Sequence, residues 1–259
     1  MRKDLQRDRY EKLHELWQIE HYRNLSPFYL TRTRIIRKLA DGNLGNGLPV
    51  LDVGCGTGDL LSSLSPLAVA CIGIDLSQRA LKIANRKIRG ASFLIADARA
   101  LPFRAQHFHM TICSEVLEHL ESDVEAVGEI SRTLSEHGFA IFSVPQNPKY
   151  WTAEDTFDGH LRRYRMDNFN RMLERGGLEI ELELSWGFPL AYLFRRYFST
   201  RLFNAGLHRP MARGKAYFAR VMAIFLRTAF QFDDLFNGLG LGLGIIALTR
   251  KTGLEDSTA

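Results

Sequence analysis

Residues 50–60 read VLDVGCGTGDL, and this stretch decides the fold. A short apolar run carries Asp52, and glycines then alternate with other residues at positions 54, 56 and 58. Glycine allows left-handed backbone conformations and lets a ligand approach bare main chain. A strand followed by such a turn and a helix is typical of a nucleotide-type site. Taken alone, the motif is also consistent with a tight turn that binds nothing.

Composition places the chain among ordinary globular proteins. Its 259 residues are 46% apolar and 24% charged, which suits one domain with elaborations. No apolar run reaches the ~18 residues that span a bilayer, and the charged first 16 residues lack the centre of a secretory signal. We therefore expect a cytoplasmic protein. Three cysteines without a CxxC pair indicate reduced thiols and disfavour a zinc ribbon.

The net charge of +5 is concentrated in one segment. No acidic residue lies between Glu183 and Asp233, and that interval holds eight arginines and lysines: Arg195, Arg196, Arg201, Arg209, Arg213, Lys215, Arg220 and Arg227. The rest of the chain is therefore slightly acidic.

Apolar runs alternate with amphipathic stretches after residue 46. Seven runs have the pattern of strands, and a helix is expected over 123–138, with a capping box from Ser122 and Glu125 and an end at Gly138. This order predicts an α/β fold, a Rossmann-like, doubly wound and mostly parallel seven-stranded sheet. The predicted organisation is an N-terminal helical cap over 1–45, a core over 46–189, a basic aromatic helical lid over 190–236, and a final strand and tail over 237–259.

The glycine spacing disfavours a dinucleotide site. The dinucleotide fingerprint is G-x-G-x-x-G, whereas here the pattern is G-x-G-x-G and the third fingerprint position is Asp59. Asp52 and Asp59 flank the turn and would repel a phosphate. A nicotinamide-dependent dehydrogenase is therefore a weak alternative.

Acidic residues end the first four predicted strands: Asp52, Asp75, Asp97 and Glu115. Ligands of such sheets bind at the carboxyl ends of the strands. A ligand selected by these side chains should be cationic or carry amines and should lack phosphate. S-adenosylmethionine, with its sulfonium, α-amine, ribose and adenine, meets that description.

Residues 50–145 resemble a class I S-adenosylmethionine-dependent methyltransferase of the type 11/12 group, similar to the ubiquinone-biosynthesis-type O-methyltransferases. The stretches LDVGCGTG, GIDLS, ADARALPF and SEVLEHL carry the resemblance. It implies that Asp52 and the glycines lie near the methionine moiety, Asp75 binds the ribose, and Asp97 and Ala98 surround the adenine. The full set of implied cofactor residues is Arg34, Asp52, Gly54, Cys55, Gly56, Gly58, Asp75, Leu76, Asp97, Ala98 and Glu115.

Arg34 enters that set because its spacing from Asp52 is similar to that of an arginine that contacts the cofactor carboxylate in related enzymes. A solvated helix charge is the alternative interpretation.

The residues after the fourth strand favour an oxygen acceptor, because the chain lacks the D/N-P-P-Y type motif that accompanies many amine acceptors. His160 and His119 are the candidate catalytic bases. Glu115 and His119 are expected to share a helix face. In related enzymes a similar E-x-x-E-H with a later histidine gathers a divalent metal, which would be held here by Glu115, Glu118, His119 and His160. Since EVLEHL also occurs in methyltransferases without a metal, a metal is not favoured.

The acceptor is expected to be a small or lipid-linked, anionic molecule. The lid combines eleven aromatic residues with its cations, and Arg162, Arg163 and Arg165 add charge on the same side. Peripheral contact with an anionic membrane, at the inner face, is one interpretation, and an ordinary lid with a packed aromatic core is another. A catalytically idle, methyltransferase-like partner or docking module is the rival function. RNA O-methylation ranks third, and nucleic acid is disfavoured because no RNA-binding module is recognisable.

Overall fold

The structure, a computed structural model, describes residues 26–44, 48–64, 70–199, 221–222 and 224–252. Within these ranges strands and helices alternate along most of the chain. The elements are α1 (Pro27–Asn43), β1 (Val50–Val53), α2 (Asp59–Leu64), β2 (Cys71–Asp75), α3 (Gln78–Lys87), β3 (Ala91–Ile95), β4 (Phe108–Ser114), α4 (Asp123–Thr133), β5 (Leu134–Pro145), α5 (Ala153–Asp158), α6 (Met166–Arg175), β6 (Leu178–Trp186), α7 (Leu190–Phe194) and β7 (Gly244–Lys251).

The seven strands form one sheet in the order β3-β2-β1-β4-β5-β7-β6. The pairs β1–β2, β1–β4, β2–β3 and β4–β5 are parallel, and β7 runs antiparallel to β5 and β6. The predicted Rossmann-like, mostly parallel seven-stranded fold is confirmed. Because the strand order reverses at β1 and β4, the crevice for a ligand lies at the carboxyl ends of these strands.

Both faces of the sheet are covered. Leu51 and Val53 of β1 belong to one apolar cluster, which contains residues of α4 and α6. Val50 belongs to the other, which includes residues of α1 and α2. This alternation follows the two-residue period of a strand. Truncation of a fully buried core leucine such as Leu61 to alanine is expected to cost about 2–5 kcal/mol.

The helix expected over 123–138 is shorter than predicted. It ends at Thr133, and β5 already begins at Leu134, so Gly138 lies inside a strand. Ser122 is the N-cap residue, but its side chain makes no capping hydrogen bond. Pairing of Leu134 with Phe108 draws these residues into the sheet, and this tertiary contact overrides the local helical pattern.

The three cysteines are buried and form no disulfide with one another. Among the described residues, no helix has both the length and the apolar content needed to cross a bilayer. Residues 1–25 of the predicted cap and residues 200–220 of the predicted lid lie outside the described ranges. The described ends of the lid are α7 with a π-helical turn, Arg195–Ser199, and a 3-10 helix, Phe230–Phe236.

Candidate active site

The glycine turn after β1 requires glycine for reasons of its own packing. Gly54 and Gly58 have φ angles of +72° and +74°, which L-residues with a side chain rarely adopt. A Cβ atom on Gly54 would lie 2.3 Å from Val116, and one on Gly58 would lie 2.7 Å from Ile88. The backbone N–H groups of Gly54 and Cys55 donate to the carbonyl of Ile74. The turn is therefore fixed against β2 and the segment after β4.

Asp75 ties this turn to the next helix. Its carboxylate accepts hydrogen bonds from the backbone N–H of Gly56 at 2.9 Å and from that of Ser77 at 2.8 Å. Ser77 in turn caps α3 by accepting from the N–H of Ala80. A carboxylate offers about four lone-pair positions, so Asp75 retains acceptor capacity for the hydroxyls of a ribose. It also orders the loop against which that ribose would lie.

Two other acidic residues of the predicted set lie deeper or are already engaged. Asp52 is buried in β1, where its neighbours in register are Gly73 and Ile112. Asp97 accepts a two-pronged contact from the guanidinium of Arg99, with distances of 3.0 and 2.8 Å. An adenine amine would therefore share Asp97 with Arg99.

The loop after β3, which carries Asp97 and the buried Ala98, is fastened to α4. Glu129 accepts from the backbone N–H of Leu101 at 2.7 Å, and Arg132 donates to the carbonyls of Leu101 and Phe103. Leu76, the predicted apolar neighbour of the base, is half-buried after β2. The described geometry thus brings the ends of β1, β2 and β3 to one edge of the sheet.

Glu115 does not share a helix face with His119, contrary to the sequence prediction. It has a left-handed φ of +56° directly after β4, and the 3-10 turn Leu117–His119 begins only after it. Its carboxylate accepts from the Ser143 hydroxyl at 2.7 Å and lies 3.2 Å from Nη1 of Arg32. Burial raises the pKa of Glu115, but Arg32 and Ser143 outweigh burial and leave the pKa below its usual value.

Arg34, the arginine chosen by spacing, is bound to the lid. Its guanidinium contacts both carboxylate oxygens of Asp234 at 2.8 Å. Arg32, one half-turn earlier on α1, is the arginine that reaches the acidic end of β4. The spacing argument pointed to α1 through Arg34 and did not single out Arg32 on the same helix.

His160 is held by a carboxylate that the sequence pattern did not single out. Its Nδ1 atom lies 2.8 Å from Oδ1 of Asp155, and the two nitrogens Nε and Nη2 of Arg163 donate to the same carboxylate at 2.9 Å each. Burial alone would raise the pKa of Asp155, but hydrogen bonds from His160 and Arg163 hold it well below its usual range. Asp155 is therefore ionised at neutral pH and fixes the orientation of the His160 ring.

Local sequence explains how Asp155 reaches this position. Thr152 and Asp155 form a capping box at the start of α5, and Gly159 ends that helix in a left-handed conformation. The backbone N–H of His160 donates to the carbonyl of Asp155, and that of Leu161 donates to the carbonyl of Glu118. The T-x-x-D spacing of Thr152 and Asp155 is the sequence pattern of a capping box, and it could have indicated this carboxylate before the structure was known.

Glu118 lies opposite His160 and is fully buried. Within the described part of the chain, neither of its carboxylate oxygens has a hydrogen-bond partner, and Oε1 lies 3.9 Å from Nε2 of His160. Burial, followed by the charge of Glu115, raises the pKa of Glu118 well above its usual value. The rings of His119 and His160 meet edge to face at 4.8 Å. The Nε2 atom of His160 thus faces a small polar cluster.

Three of the four proposed metal-binding residues meet in this cluster. Potential ligand atoms of Glu118, His119 and His160 lie within 4.8 Å of one another, whereas Glu115 is engaged by Arg32 and Ser143. Two imidazoles and one carboxylate are a donor set suited to manganese, iron or zinc, and Asp155 would orient His160 from behind. These three residues fit a divalent ion as a donor set.

The arginines of HLRRYR are less available than their sequence suggested. Arg162 donates to Asp123 at 2.9 Å, and Arg163 is committed to Asp155. Arg165 contacts Asp167 at 3.3 Å on the surface. The three charges of this loop are therefore paired within the protein, and an anionic acceptor would have to rely on the cations of the lid.

Comparison with known proteins supports the methyltransferase fold that the sequence predicts. Residues 51–142 match a family model described as a methyltransferase domain. The ubiquinone biosynthesis O-methyltransferase of Thiobacillus denitrificans is 34% identical over 102 residues, which are 38% of this chain and 44% of that protein. The chain spans only 26–62% of the length of the curated relatives that it matches.

Similar folds occur among solved structures. The [4+2]-cyclase SpnF superposes with a TM-score of 0.59 at 23% identity, covering 84% of this chain and 80% of that one. Phosphoethanolamine N-methyltransferase 2 of Haemonchus contortus, in complex with S-adenosyl-L-methionine, gives 0.58 at 16% identity, covering 88% and 54%. At these identities the likeness concerns the fold, and the cyclase shows that the fold alone does not define the reaction.

Proposed function

From the place of residues 51–142 among the class I S-adenosylmethionine-dependent methyltransferases, we propose that the chain methylates an oxygen atom of a small or lipid-linked, anionic acceptor. S-adenosylmethionine is the cofactor of this family, and when bound it supplies an electrophilic methyl group on a sulfonium. The acidic side chains at the ends of β1, β2, β3 and β4 favour such a cation.

The residues of the chain have three tasks in this reaction. The turn at Gly54, Gly56 and Gly58, with Cys55 between them, gives close access to the main chain, and Asp75 accepts from the ribose hydroxyls. The loop of Asp97 and Ala98 encloses the base. Since transfer is an in-line displacement, the remaining requirement is to align the acceptor and remove its proton.

His160 is the proposed base. Its Nδ1–H is held by ionised Asp155, so Nε2 is the nitrogen that can take a proton from an acceptor hydroxyl. The imidazolium formed in that step is stabilised by the Asp155 carboxylate. The carboxylate of a Ser-His-Asp triad has the same role. His119, which packs against the His160 ring, is the second candidate. His160 ranks above it because Asp155 already fixes the tautomer that a base needs.

An oxygen acceptor is supported by two observations. The stretch CSEVLEH stands where many amine-methylating enzymes carry a D/N-P-P-Y type motif. The curated relative with 34% identity is named an O-methyltransferase. The anionic character rests on the lid cations, because the arginines of the His160 loop are paired within the protein.

The observation that carries the proposal is the His160–Asp155 pair, in a chain whose residues 51–142 match a methyltransferase-domain model. The direct test is transfer of labelled methyl from S-adenosylmethionine into a lipid extract, a mixture of phenolic and carboxylic small molecules, and RNA. Label in an alkali-labile ester or an alkali-stable ether of the first two fractions supports the proposal. Label only on nitrogen or in RNA contradicts it, and the absence of both transfer and cofactor binding favours the idle module.

A further inference from the structure

The lid carries an unusual concentration of exposed apolar side chains. Of the 18 large apolar side chains exposed among the described residues, 11 lie between positions 193 and 241. We call them the lid surface: Leu193, Tyr197, Phe198, Val221, Met222, Ile224, Phe225, Phe232, Leu235, Leu239 and Leu241. Scattered exposed apolar residues are normal in proteins, whereas a concentration of this kind marks an interaction site.

The lid surface is additional to a complete aromatic core. Phe230 is buried, and its ring lies 5.9 Å from that of Phe194 and 5.8 Å from that of Phe28 on α1. Asp233 accepts from the backbone N–H groups of Leu190 and Ala191 at 2.8 and 2.9 Å. These contacts join the two described ends of the lid to each other and to the domain. The exposed side chains are therefore not required to hold the lid in place.

Positive charge accompanies this apolar surface. Arg196 and Arg227 are exposed, and in the sequence they lie within two residues of the exposed Tyr197 and Phe225. In the sequence, residues 184–232 contain eight arginines and lysines and no acidic residue, and five of the eight lie at 200–220. The two acidic residues of the lid are engaged elsewhere, Asp233 by the backbone of α7 and Asp234 by Arg34. An apolar surface accompanied by exposed arginines is the combination that binds the headgroup and acyl boundary of anionic membranes.

We propose that the lid surface docks on an anionic lipid bilayer. Seven of its 11 side chains are aliphatic, and these gain by burial in the acyl boundary, whereas single-stranded nucleic acid is bound through stacking on aromatic rings. A symmetric dimer through the same surface is disfavoured, because it would bring the exposed Arg196 and Arg227 of two copies together.

Docking in this way brings the bilayer close to the candidate active site. Arg195 at the end of α7 lies 3.3 Å from Glu154, which precedes the Asp155 that holds His160. Tyr192 packs against Tyr150 with ring centroids 5.2 Å apart. A lipid-linked acceptor in the membrane would therefore enter beside the His160 loop. The docking itself does not depend on methyl transfer, so the two proposals fail independently.

The test is flotation of the full chain with vesicles of phosphatidylcholine alone and with vesicles that also contain phosphatidylglycerol. Binding is expected only to the anionic vesicles. Ile224→Glu should weaken it by about tenfold or more, because it removes an apolar contact and adds a negative charge. Val124→Glu on α4 is the matched control, since Val124 and Ile224 are both 58% exposed, and it should bind as the parent chain does.

Charge is tested separately. Each cation near an anionic surface contributes about fivefold in affinity, so Arg196→Ser with Arg227→Ser should weaken binding by about 25-fold. Arg171→Ser, an exposed residue of α6, is the control and should have no effect. Thermal unfolding of every variant reports its folding.

Five outcomes would overturn the proposal. Four of them are no vesicle binding by the folded parent chain, equal loss in Ile224→Glu and Val124→Glu, binding of single-stranded RNA in place of vesicles, and a shift from dimer to monomer in Ile224→Glu without an effect on vesicles. A large fall in the unfolding temperature of Ile224→Glu with unchanged flotation would also overturn it, because the chain itself would then cover this side chain.

Discussion

The Nδ1 atom of His160 lies 2.8 Å from Oδ1 of Asp155, and this contact determines which nitrogen of the ring is available for chemistry. Asp155 is fully buried and shares its carboxylate with Arg163. The ring is thereby held with Nε2 towards Glu118 and the crevice at the carboxyl end of the sheet. Both the proposed base and the candidate ion site depend on this orientation.

Replacement of His160 by alanine is expected to slow methyl transfer by about 10²-fold or more and to leave cofactor affinity unchanged, because Nε2 acts on the acceptor. His109→Ala is the matched control, since that ring packs on Phe139 within the sheet and has no place in the proposed chemistry. Single-turnover rates and calorimetry on both variants are the measurements. Full activity of His160→Ala would remove this residue from the mechanism.

Chelation distinguishes a base from a metal ligand. If His160 acts only as a base, treatment with a chelator leaves the rate of the parent chain unchanged. If Glu118, His119 and His160 hold a required ion, chelation abolishes activity and added manganese restores it. We expect the first result.

Asp155→Asn is expected to lower the free energy of unfolding by about 3–5 kcal/mol, because it leaves the Arg163 guanidinium buried without its carboxylate. Both side chains of this pair are fully buried. The double variant Asp155→Asn, Arg163→Met removes the unpaired charge and should recover a substantial part of the loss. Urea unfolding of the single and double variants gives the coupling energy, and additive effects would contradict the contact.

The two arginines of α1 should differ in their effect on cofactor binding. We expect Arg32, which lies beside Glu115 at the end of β4, to contact the cofactor carboxylate in place of Arg34. Arg32→Ala should therefore weaken cofactor binding by about tenfold, a typical effect of losing a hydrogen bond to a charged group. Arg34→Ala breaks the contact with Asp234 and should lower the unfolding temperature with little change in affinity. Calorimetry with S-adenosylhomocysteine separates the two, and a larger loss in Arg34→Ala would restore the assignment made from spacing.

Asp158 should give the protein a measurable dependence of stability on pH. Burial raises the pKa of its carboxyl from 3.8 to about 6 in the folded protein. Between these values the folded state holds the proton that the unfolded state releases, so stability falls as pH rises from about 4 to about 6 and stays lower above that range.

Asp158→Asn removes this loss and should raise the free energy of unfolding at about pH 7.5 by roughly 1–3 kcal/mol, with no gain at about pH 4. Asp167→Asn, at an exposed position of α6, is the control. Urea unfolding at both pH values is the measurement. An equal gain at the two pH values would show that ionisation of Asp158 is not the cause.

Sequence patterns predicted the fold well because most strands of this sheet are short apolar runs, β6 alternates apolar and acidic residues, and helices separate the strands. The same approach misplaced the end of α4, since Leu134 joins the sheet through pairing with Phe108, a contact distant in sequence. The helix face expected to be shared by Glu115 and His119 was wrong for a related reason. The left-handed backbone of Glu115 turns the chain before a helix can form.

At the site, residues whose roles follow from local sequence patterns were easier to identify than residues whose roles depend on side chains of other elements. The glycine turn and Asp75 follow from local spacing, and the structure places them together at one edge of the sheet. Asp155 and Arg32 were missed because their roles depend on His160 and Glu115, which lie on other elements. Arg163 was assigned to an acceptor surface, but it is buried beneath the loop and neutralises Asp155.

Calorimetric titration of the purified chain with S-adenosylmethionine and S-adenosylhomocysteine tests the central claim most directly, with Asp75→Ala beside the parent chain and Asp59→Ala as the control for loss of a carboxylate. The parent chain and Asp59→Ala are expected to bind both compounds, and Asp75→Ala is expected to lose about 1–3 kcal/mol of binding free energy. No detectable affinity of the folded parent chain for either compound would contradict the assignment of this fold to a methyl donor.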